Sequence, residues 1–167
     1  MATNAQTSTT LQCACGKVEI AAVGAPILTV ACHCQDCWDG GRRIEALPEA
    51  PRIVDADGGT GYVLYRKDRI SSVRGAELLQ SHKLKAQSIT NRVVASCCNS
   101  GLYVNFDRGP HWVSVYRARL GAAAPPLEMR INTRSKAVDG GVPSHEGFPI
   151  KVAVKLVAAR IAMLARR

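Results

Sequence analysis

Three cysteines fall within the six residues from Cys32 to Cys37. Cys32 and Cys34 are two residues apart, so in an extended strand their side chains share a face, and a tight turn would bring Cys37 back toward them. Zinc favours thiolate ligands, and three protein ligands leave its fourth tetrahedral position open, as in catalytic zinc sites. The spacing therefore predicts a metal site. Inert buried cysteines, or a site closed by His33, are the alternatives.

The other four cysteines form two pairs that are far apart in the sequence, Cys13 with Cys15 and Cys97 with Cys98. Such pairs are typical of a structural zinc that joins distant strands of a small β domain. The second pair lies in a sequence of the form C-x-x-C-G in which Ser100 stands at the second cysteine position. Adjacent strand residues face opposite ways, so Cys98 can replace that ligand only if the chain turns locally. Otherwise water closes the site, or the site is weak or empty.

Composition indicates one domain in a reducing compartment. The chain has 167 residues and seven cysteines, an odd number whose C-x-C spacings suit metal binding better than disulfide pairing. The first residues lack the apolar region of a signal peptide, and no apolar run reaches the roughly 18 residues of a membrane span. We therefore expect a cytoplasmic protein with no membrane span.

The formal net charge is +9, which favours an acidic partner or serves solubility alone. The basic residues are scattered and lack the dense, aromatic-interleaved pattern of a nucleic-acid surface. We therefore do not expect a nucleic-acid partner.

Short β-rich segments separated by turns predict an all-β fold. Asp39-Gly40-Gly41 is expected to break the pattern, and residues 42–61 are expected to be loop with at most one short strand. The predicted organisation is a disordered lead-in at 1–10, a zinc-binding β domain at 11–149 and a basic C-terminal α-helix at 150–167. The expected strands lie within residues 17–22, 27–31, 62–65, 78–84, 93–95, 102–106, 113–117 and 128–132.

The C-terminal segment from Ile150 to Arg167 contains no glycine or proline and is rich in aliphatic residues. Its apolar surface is broad for an isolated tail. The interpretations are packing on the domain, a homodimer contact or binding to a membrane surface.

The order C-x-C-G, C-H-C-x-x-C and degraded C-x-x-C-G resembles the glutathione-dependent formaldehyde-activating enzyme family, which also includes centromere protein V. The resemblance covers about residues 11–149 and is most specific in the central motif. It implies a β-tent-like zinc fold of packed antiparallel sheets. It also implies a structural zinc on Cys13, Cys15, Cys97 and a fourth ligand, and a reactive zinc on Cys32, Cys34 and Cys37, hence one or two Zn²⁺ per chain.

The activity implied by the resemblance is that of a carbon–sulfur lyase, S-hydroxymethylglutathione synthase-like, with a small thiol such as glutathione as partner. Three thiolates make a zinc centre a poor Lewis acid but suit it to holding a nucleophilic substrate thiolate. A lyase acting on the thiol adduct of an aldehyde or similar electrophile is the first hypothesis. A non-catalytic zinc-stabilised binding domain for an acidic partner is the second, and a redox or metal-handling protein is the third. Arg42 and Arg43 are the nearest cations in sequence to the reactive cluster.

Overall fold

The structure is a computed structural model that describes residues 8–134 and 140–165. Its described residues form two helices, α1 (Gln35–Glu45) and α2 (Ile150–Leu164), and ten strands. The strands are β1 (Ser8–Gln12), β2 (Glu19–Val23), β3 (Leu28–Cys32), β4 (Thr60–Arg66), β5 (Ile70–Arg74), β6 (Leu79–His82), β7 (Thr90–Ala95), β8 (Ser100–Phe106), β9 (Trp112–Tyr116) and β10 (Met129–Ile131). The predicted all-β fold with a C-terminal helix is confirmed.

The strands make a small sheet of order β1-β2-β5 and a large sheet of order β10-β3-β4-β9-β8-β7-β6. All neighbours are antiparallel except β10, which pairs in parallel with β3 and places Ile131 opposite Cys32. This last pairing brings residues near the end of the domain to the cysteine motif that follows β3.

The large sheet is buried on both faces. On β4, Val63 and Tyr65 pack into one hydrophobic core with residues of the small sheet, such as Ile20. Tyr62 and Leu64 point the other way, into a second core that also includes residues of α1 and α2. Both faces of β4 are therefore covered, which explains why its central residues Tyr62 to Tyr65 do not alternate between apolar and polar.

Helix α1 corrects the expectation that Asp39-Gly40-Gly41 breaks the pattern. A glycine inside a helix costs about 1 kcal/mol relative to alanine, so a glycine pair argues against a helix on propensity alone. Both glycines are buried in α1. A Cβ at Gly40 would overlap the Arg92 side chain, and one at Gly41 would overlap Val54. The glycines therefore let α1 approach the large sheet closely, and this packing outweighs the propensity.

The chain ends need one further correction. Residues 8–10 were expected in a disordered lead-in, but they belong to β1, because the strand from Ser8 to Gln12 pairs along its whole length with β2. Residues 1–7 lie outside the described part of the chain, as do 166–167 of the predicted C-terminal helix.

Helix α2 begins after Pro149, as predicted, and packs on the domain through Val152, Leu156 and Met163. Its opposite side is exposed and carries a stripe of branched aliphatic side chains that are each at least half exposed: Ile150, Val154, Val157, Ile161 and Leu164. Neither helix in the described residues has the length and hydrophobicity needed to cross a membrane.

Candidate metal centres

The first cysteine cluster forms where β3 ends and α1 begins. Cys32 is the last residue of β3, Cys34 is the N-cap of α1, and Cys37 lies in the first turn of α1. The backbone N–H of Cys37 donates to the carbonyl of Cys34 at 3.1 Å, which folds the chain back. The three sulfur atoms lie within 4.8 Å of one another. The turn that gathers them is the first turn of a helix.

The three thiols of this cluster share hydrogen bonds that favour a thiolate at Cys34. Hydrogen bonds from the Cys32 and Cys37 thiols lower the pKa of Cys34 to about 2. The same shared hydrogen bonds raise the pKa of Cys32 and of Cys37. The N-terminal end of α1 carries the positive end of the helix dipole, which also favours a thiolate at its cap.

Two polar side chains from the large sheet support the cluster. Asn132, which follows β10, donates from Nδ2 to the Cys32 sulfur at 3.3 Å. Its backbone has a φ of 58°, a left-handed conformation that asparagine tolerates better than most residues. Tyr62 on β4 is buried, and burial together with neighbouring Tyr116 and Cys37 raises its pKa, so its hydroxyl keeps its proton.

All three cysteines of this cluster line a pocket of about 270 Å³, just below the range of about 300–1,000 Å³ that is typical of ligand sites. Most of the other lining side chains are apolar or aromatic. They include Val30, Leu64, Val104, Phe106, Trp112, Ile131 and Phe148. The polar and charged lining residues are Asp36, Tyr62, Ser88, Thr90, Arg92, Ser114 and Asn132. The thiols are therefore accessible to a small molecule in a mostly apolar environment.

The second cluster joins the turn after β1 to the turn after β7. The sulfur of Cys13 lies 3.6 Å from that of Cys15 and 3.8 Å from that of Cys97. The sulfur of Cys97 lies 3.3 Å from that of Cys15 and 3.9 Å from that of Cys98. A tetrahedral zinc with Zn–S distances of about 2.3 Å places its sulfurs about 3.8 Å apart. The four sulfurs therefore fit a four-thiolate metal site.

Cys98 reaches this cluster because the chain turns locally. Asn99 has a φ of 52°, and this left-handed residue lets the adjacent Cys97 and Cys98 face the same point. Partial burial of Cys98 opposes ionisation, but hydrogen bonds from Ser100 and Cys15 lower its pKa to about 6. The turn that the sequence required for Cys98 is present.

The donor sets of both clusters match a thiophilic metal, because thiolate ligands select zinc over harder ions. The first cluster offers three thiols, and no fourth His, Cys, Asp or Glu ligand atom of the described residues completes it. A fourth ligand would have to come from water or from a molecule in the pocket. The two clusters could therefore hold metal ions, one with a complete protein ligand set and one without.

Other side chains singled out in the sequence lie elsewhere. Arg42 pairs with Glu45 at 2.8 Å, and Arg43 donates to the Leu84 carbonyl at 3.0 Å. The imidazole of His33 lies 3.9 Å from the carboxylate of Asp57. The cation that lines the cysteine pocket is instead Arg92, which the sequence did not indicate because an arginine in a strand normally reads as an exposed residue.

This is a mainly β protein with two cysteine clusters that could each hold a metal ion, one lining a pocket and one joining two turns. The family model described as glutathione-dependent formaldehyde-activating enzyme matches residues 8–45, the segment from β1 to α1. The comparison confirms that the chain resembles this family through its first two cysteine motifs.

Among solved structures, the chain is similar to a Rhodobacter sphaeroides protein from a structural genomics programme. The two share 20% sequence identity, the match covers 81% of this chain and 99% of that one, and the TM-score is 0.47. Comparison with curated protein sequences finds no match.

Proposed function

We propose that this protein is a zinc-dependent carbon–sulfur lyase that makes or breaks the bond between a thiol and an aldehyde or similar electrophile. The observation that carries the proposal is the cluster of Cys32, Cys34 and Cys37 in a small pocket. The resemblance to glutathione-dependent formaldehyde-activating enzymes supports the reaction class and makes glutathione one candidate thiol.

The residues that would hold the reactive zinc are Cys32, Cys34 and Cys37, and those that would hold the structural zinc are Cys13, Cys15, Cys97 and Cys98. Bound at the first cluster, zinc would keep a substrate thiol deprotonated near neutral pH while leaving its sulfur nucleophilic. Asn132 orients the sulfur of Cys32 through its hydrogen bond.

The chemical step needs one proton at the carbonyl oxygen. The substrate sulfur attacks the carbonyl carbon, the C–S bond forms, and the electron pair of the C=O double bond moves to oxygen, which accepts a proton. The proton that the substrate thiol gives up balances the proton that the oxygen accepts. Tyr62 lines the pocket and its raised pKa keeps its hydroxyl protonated, so we assign its Oη as the hydrogen-bond donor to the negative charge that develops on this oxygen. The reverse reaction returns this proton and releases thiol and aldehyde. Phe106 and Trp112 add an aromatic wall to the pocket that holds the reacting atoms.

The test uses cobalt-substituted protein, whose visible spectrum reports the ligands of each cluster. Adding 3-mercaptopropionate or glutathione is expected to change the spectrum of the wild type, and Cys34→Ser is expected to abolish the change. Ser72→Ala, an exposed substitution on β5, is the control. Carbon-13 exchange spectroscopy on thiol–aldehyde mixtures then measures C–S turnover. If neither thiol changes the visible spectrum of the cobalt-substituted wild type, the proposal is overturned.

The net charge of +9 supports a second candidate, a zinc-stabilised domain that binds an acidic partner without turnover. If the acidic partner is a nucleic acid, the protein should give a salt-dependent gel shift. The absence of a shift at low salt would exclude a nucleic-acid partner.

The exposed stripe on α2 supports self-association. Its five aliphatic residues are spaced 4, 3, 4 and 3 apart, the spacing of a helix–helix seam. We propose that two copies of the chain pair through this face.

A further inference from the structure

Arg92 is a buried arginine in the wall of the cysteine pocket whose guanidinium is mostly unpaired. It lies on β7 opposite Val104 of β8, and only 5% of its surface is exposed. Nη2 donates to the backbone carbonyl of Asp36 at 2.6 Å. Nε and Nη1 are buried and have no hydrogen-bond partner among the described residues.

A buried guanidinium normally has a carboxylate partner, because removing its charge from water is costly. The ion pairs of the described residues do not include Arg92, whereas Arg66 and Arg130, also on strands of the large sheet, each pair with an aspartate. The chain also keeps a glycine at position 40, where any Cβ would overlap the Arg92 side chain. The fold thus makes room for a cation beside the cysteine cluster and Asp36, but no described carboxylate pairs with its guanidinium.

The residues around Arg92 restrict which kind of anionic ligand could pair with its guanidinium. On β7 and β8, Thr90 and Phe106 form the cross-strand pair two residues from Arg92 and Val104, on the same face of the sheet, and all four line the same pocket. Trp112 packs edge-on against Phe106, with ring centroids 5.9 Å apart. Among the described residues, a ligand in this pocket therefore meets the guanidinium of Arg92 beside an aromatic wall, with Asp36 as the carboxylate that also lines the pocket.

We propose that Arg92 binds the single carboxylate of the substrate, whose hydrocarbon part lies against Phe106 and Trp112. The substrate class is a small thiol adduct of an aldehyde or ketone that carries one carboxylate, on either the thiol or the carbonyl component. A carboxylate matches the planar guanidinium. A phosphate dianion, or glutathione with two carboxylates and an ammonium group, requires more charged partners than Arg92, the cation that the described lining residues supply. The reacting bond in this assignment rests on the proposed lyase function, whereas the anion site does not.

The test measures binding to zinc-loaded protein by isothermal titration calorimetry, with phenylacetate as the probe and phenylacetamide as its neutral analogue. Phenylacetate is expected to bind at least about tenfold more tightly than the amide. Arg92→Gln is expected to remove this preference and Arg92→Lys to restore part of it. Arg108→Gln, an exposed change of equal charge, is expected to leave it intact.

A second variant separates recognition from folding. Gly40→Ala leaves every charge in place and adds a better helix former, but its Cβ displaces the Arg92 side chain. It is expected to weaken phenylacetate binding and to leave phenylacetamide unchanged. Equal binding of the two probes to the wild type would overturn the proposal, even if neither variant folds.

The two proposals fail separately. An Arg92-dependent preference for phenylacetate together with a thiol-insensitive cobalt spectrum would remove the lyase and keep the anion site. A cobalt spectrum that responds to thiols, without a preference for phenylacetate, would keep the lyase proposal and exclude the anion site. In turnover, the carboxylate-bearing pair of 3-mercaptopropionate and formaldehyde is expected to exceed glutathione and formaldehyde, and Arg92→Gln is expected to erase the difference.

Discussion

Ser100 supports Cys98 rather than taking its place. The Ser100 hydroxyl lies 3.1 Å from the Cys98 sulfur, and it accepts a hydrogen bond from the backbone N–H of Ala14 at 2.9 Å. Ser100 is fully buried. The residue that stands in a cysteine position of the sequence pattern therefore links the two turns that carry the second cluster.

Ser100→Ala is expected to lower the free energy of unfolding by about 1–3 kcal/mol, because the Ala14 N–H loses its acceptor. Denaturant unfolding of the zinc-loaded protein measures the change. Ser72→Ala, at an exposed position, is expected to stay within about 0.5 kcal/mol of the wild type. Equal stability of Ser100→Ala and Ser72→Ala would show that this hydroxyl does not support the cluster.

Metal content distinguishes the two clusters. We expect two zinc ions per chain by mass spectrometry on protein purified without chelator. Cys34→Ser is expected to lose zinc from the first cluster, and Cys98→Ser to weaken zinc at the second, because each removes one thiolate. Chelator treatment is expected to lower the melting temperature of the wild type more than that of Cys98→Ser. A Cys98→Ser variant that keeps wild-type zinc affinity would exclude Cys98 as a ligand.

Glu45 gives a pH dependence of stability. Burial alone would raise its pKa, but hydrogen bonds from the backbone N–H groups of Val54 and Ile53, and from Arg42, lower it below the ordinary value of 4.5. The folded state thus holds this proton more weakly than the unfolded chain. The stabilisation is complete above the ordinary pKa and is lost as pH falls through the folded-state value.

Glu45→Gln is therefore expected to cost stability at pH 7, by about 1–3 kcal/mol, and to cost less as the pH falls below 4.5. The measurement is the difference in unfolding free energy between variant and wild type at each pH, in which effects common to both cancel. Glu77→Gln, an exposed change, serves for comparison. A difference that stays constant with pH would show that the Glu45 carboxylate is not the titrating group.

Self-association through α2 is expected to depend on its exposed stripe. Val157 is 58% exposed there, and Val73 on β5 is 60% exposed far from it in the sequence. The wild type is expected to sediment as a dimer. Val157→Glu is expected to sediment as a monomer, because it places a charge in the helix–helix contact, whereas the control Val73→Glu is expected to remain a dimer. A wild type that stays monomeric at high concentration in analytical ultracentrifugation contradicts the pairing.

The ligands within each cysteine motif were predictable because their spacing is local, whereas the meeting of Cys13 and Cys15 with Cys97 and Cys98 depends on the fold. The pattern from Cys32 to Cys37 gathers three thiols within one turn, and the turn at Asn99 allows Cys98 to face its cluster. Helix α1 was not predictable from propensity, because Gly40 and Gly41 disfavour a helix unless another element packs against them. Arg92 is the partner that occupies the space at Gly40, and it lies more than fifty residues along the chain.

The remaining site residues depend on tertiary pairing. Asn132 reaches Cys32 only because β10 adds in parallel beside β3, a contact across 100 residues. Tyr62 reads as one residue of an apolar strand, and only the position of α1 places it beside Cys37.

The second cluster joins Cys15 to Cys97 across 82 residues, and the enclosed segment contains the whole reactive cluster. A bond closing a loop of this length restricts an unfolded chain by roughly 4–5 kcal/mol if it acts as a disulfide does. A metal held there would act as a reversible cross-link on the segment of chain that contains the reactive cluster. The availability of that ion in the cell would then control how fast the protein is degraded by proteases, whether or not a reaction takes place in the pocket.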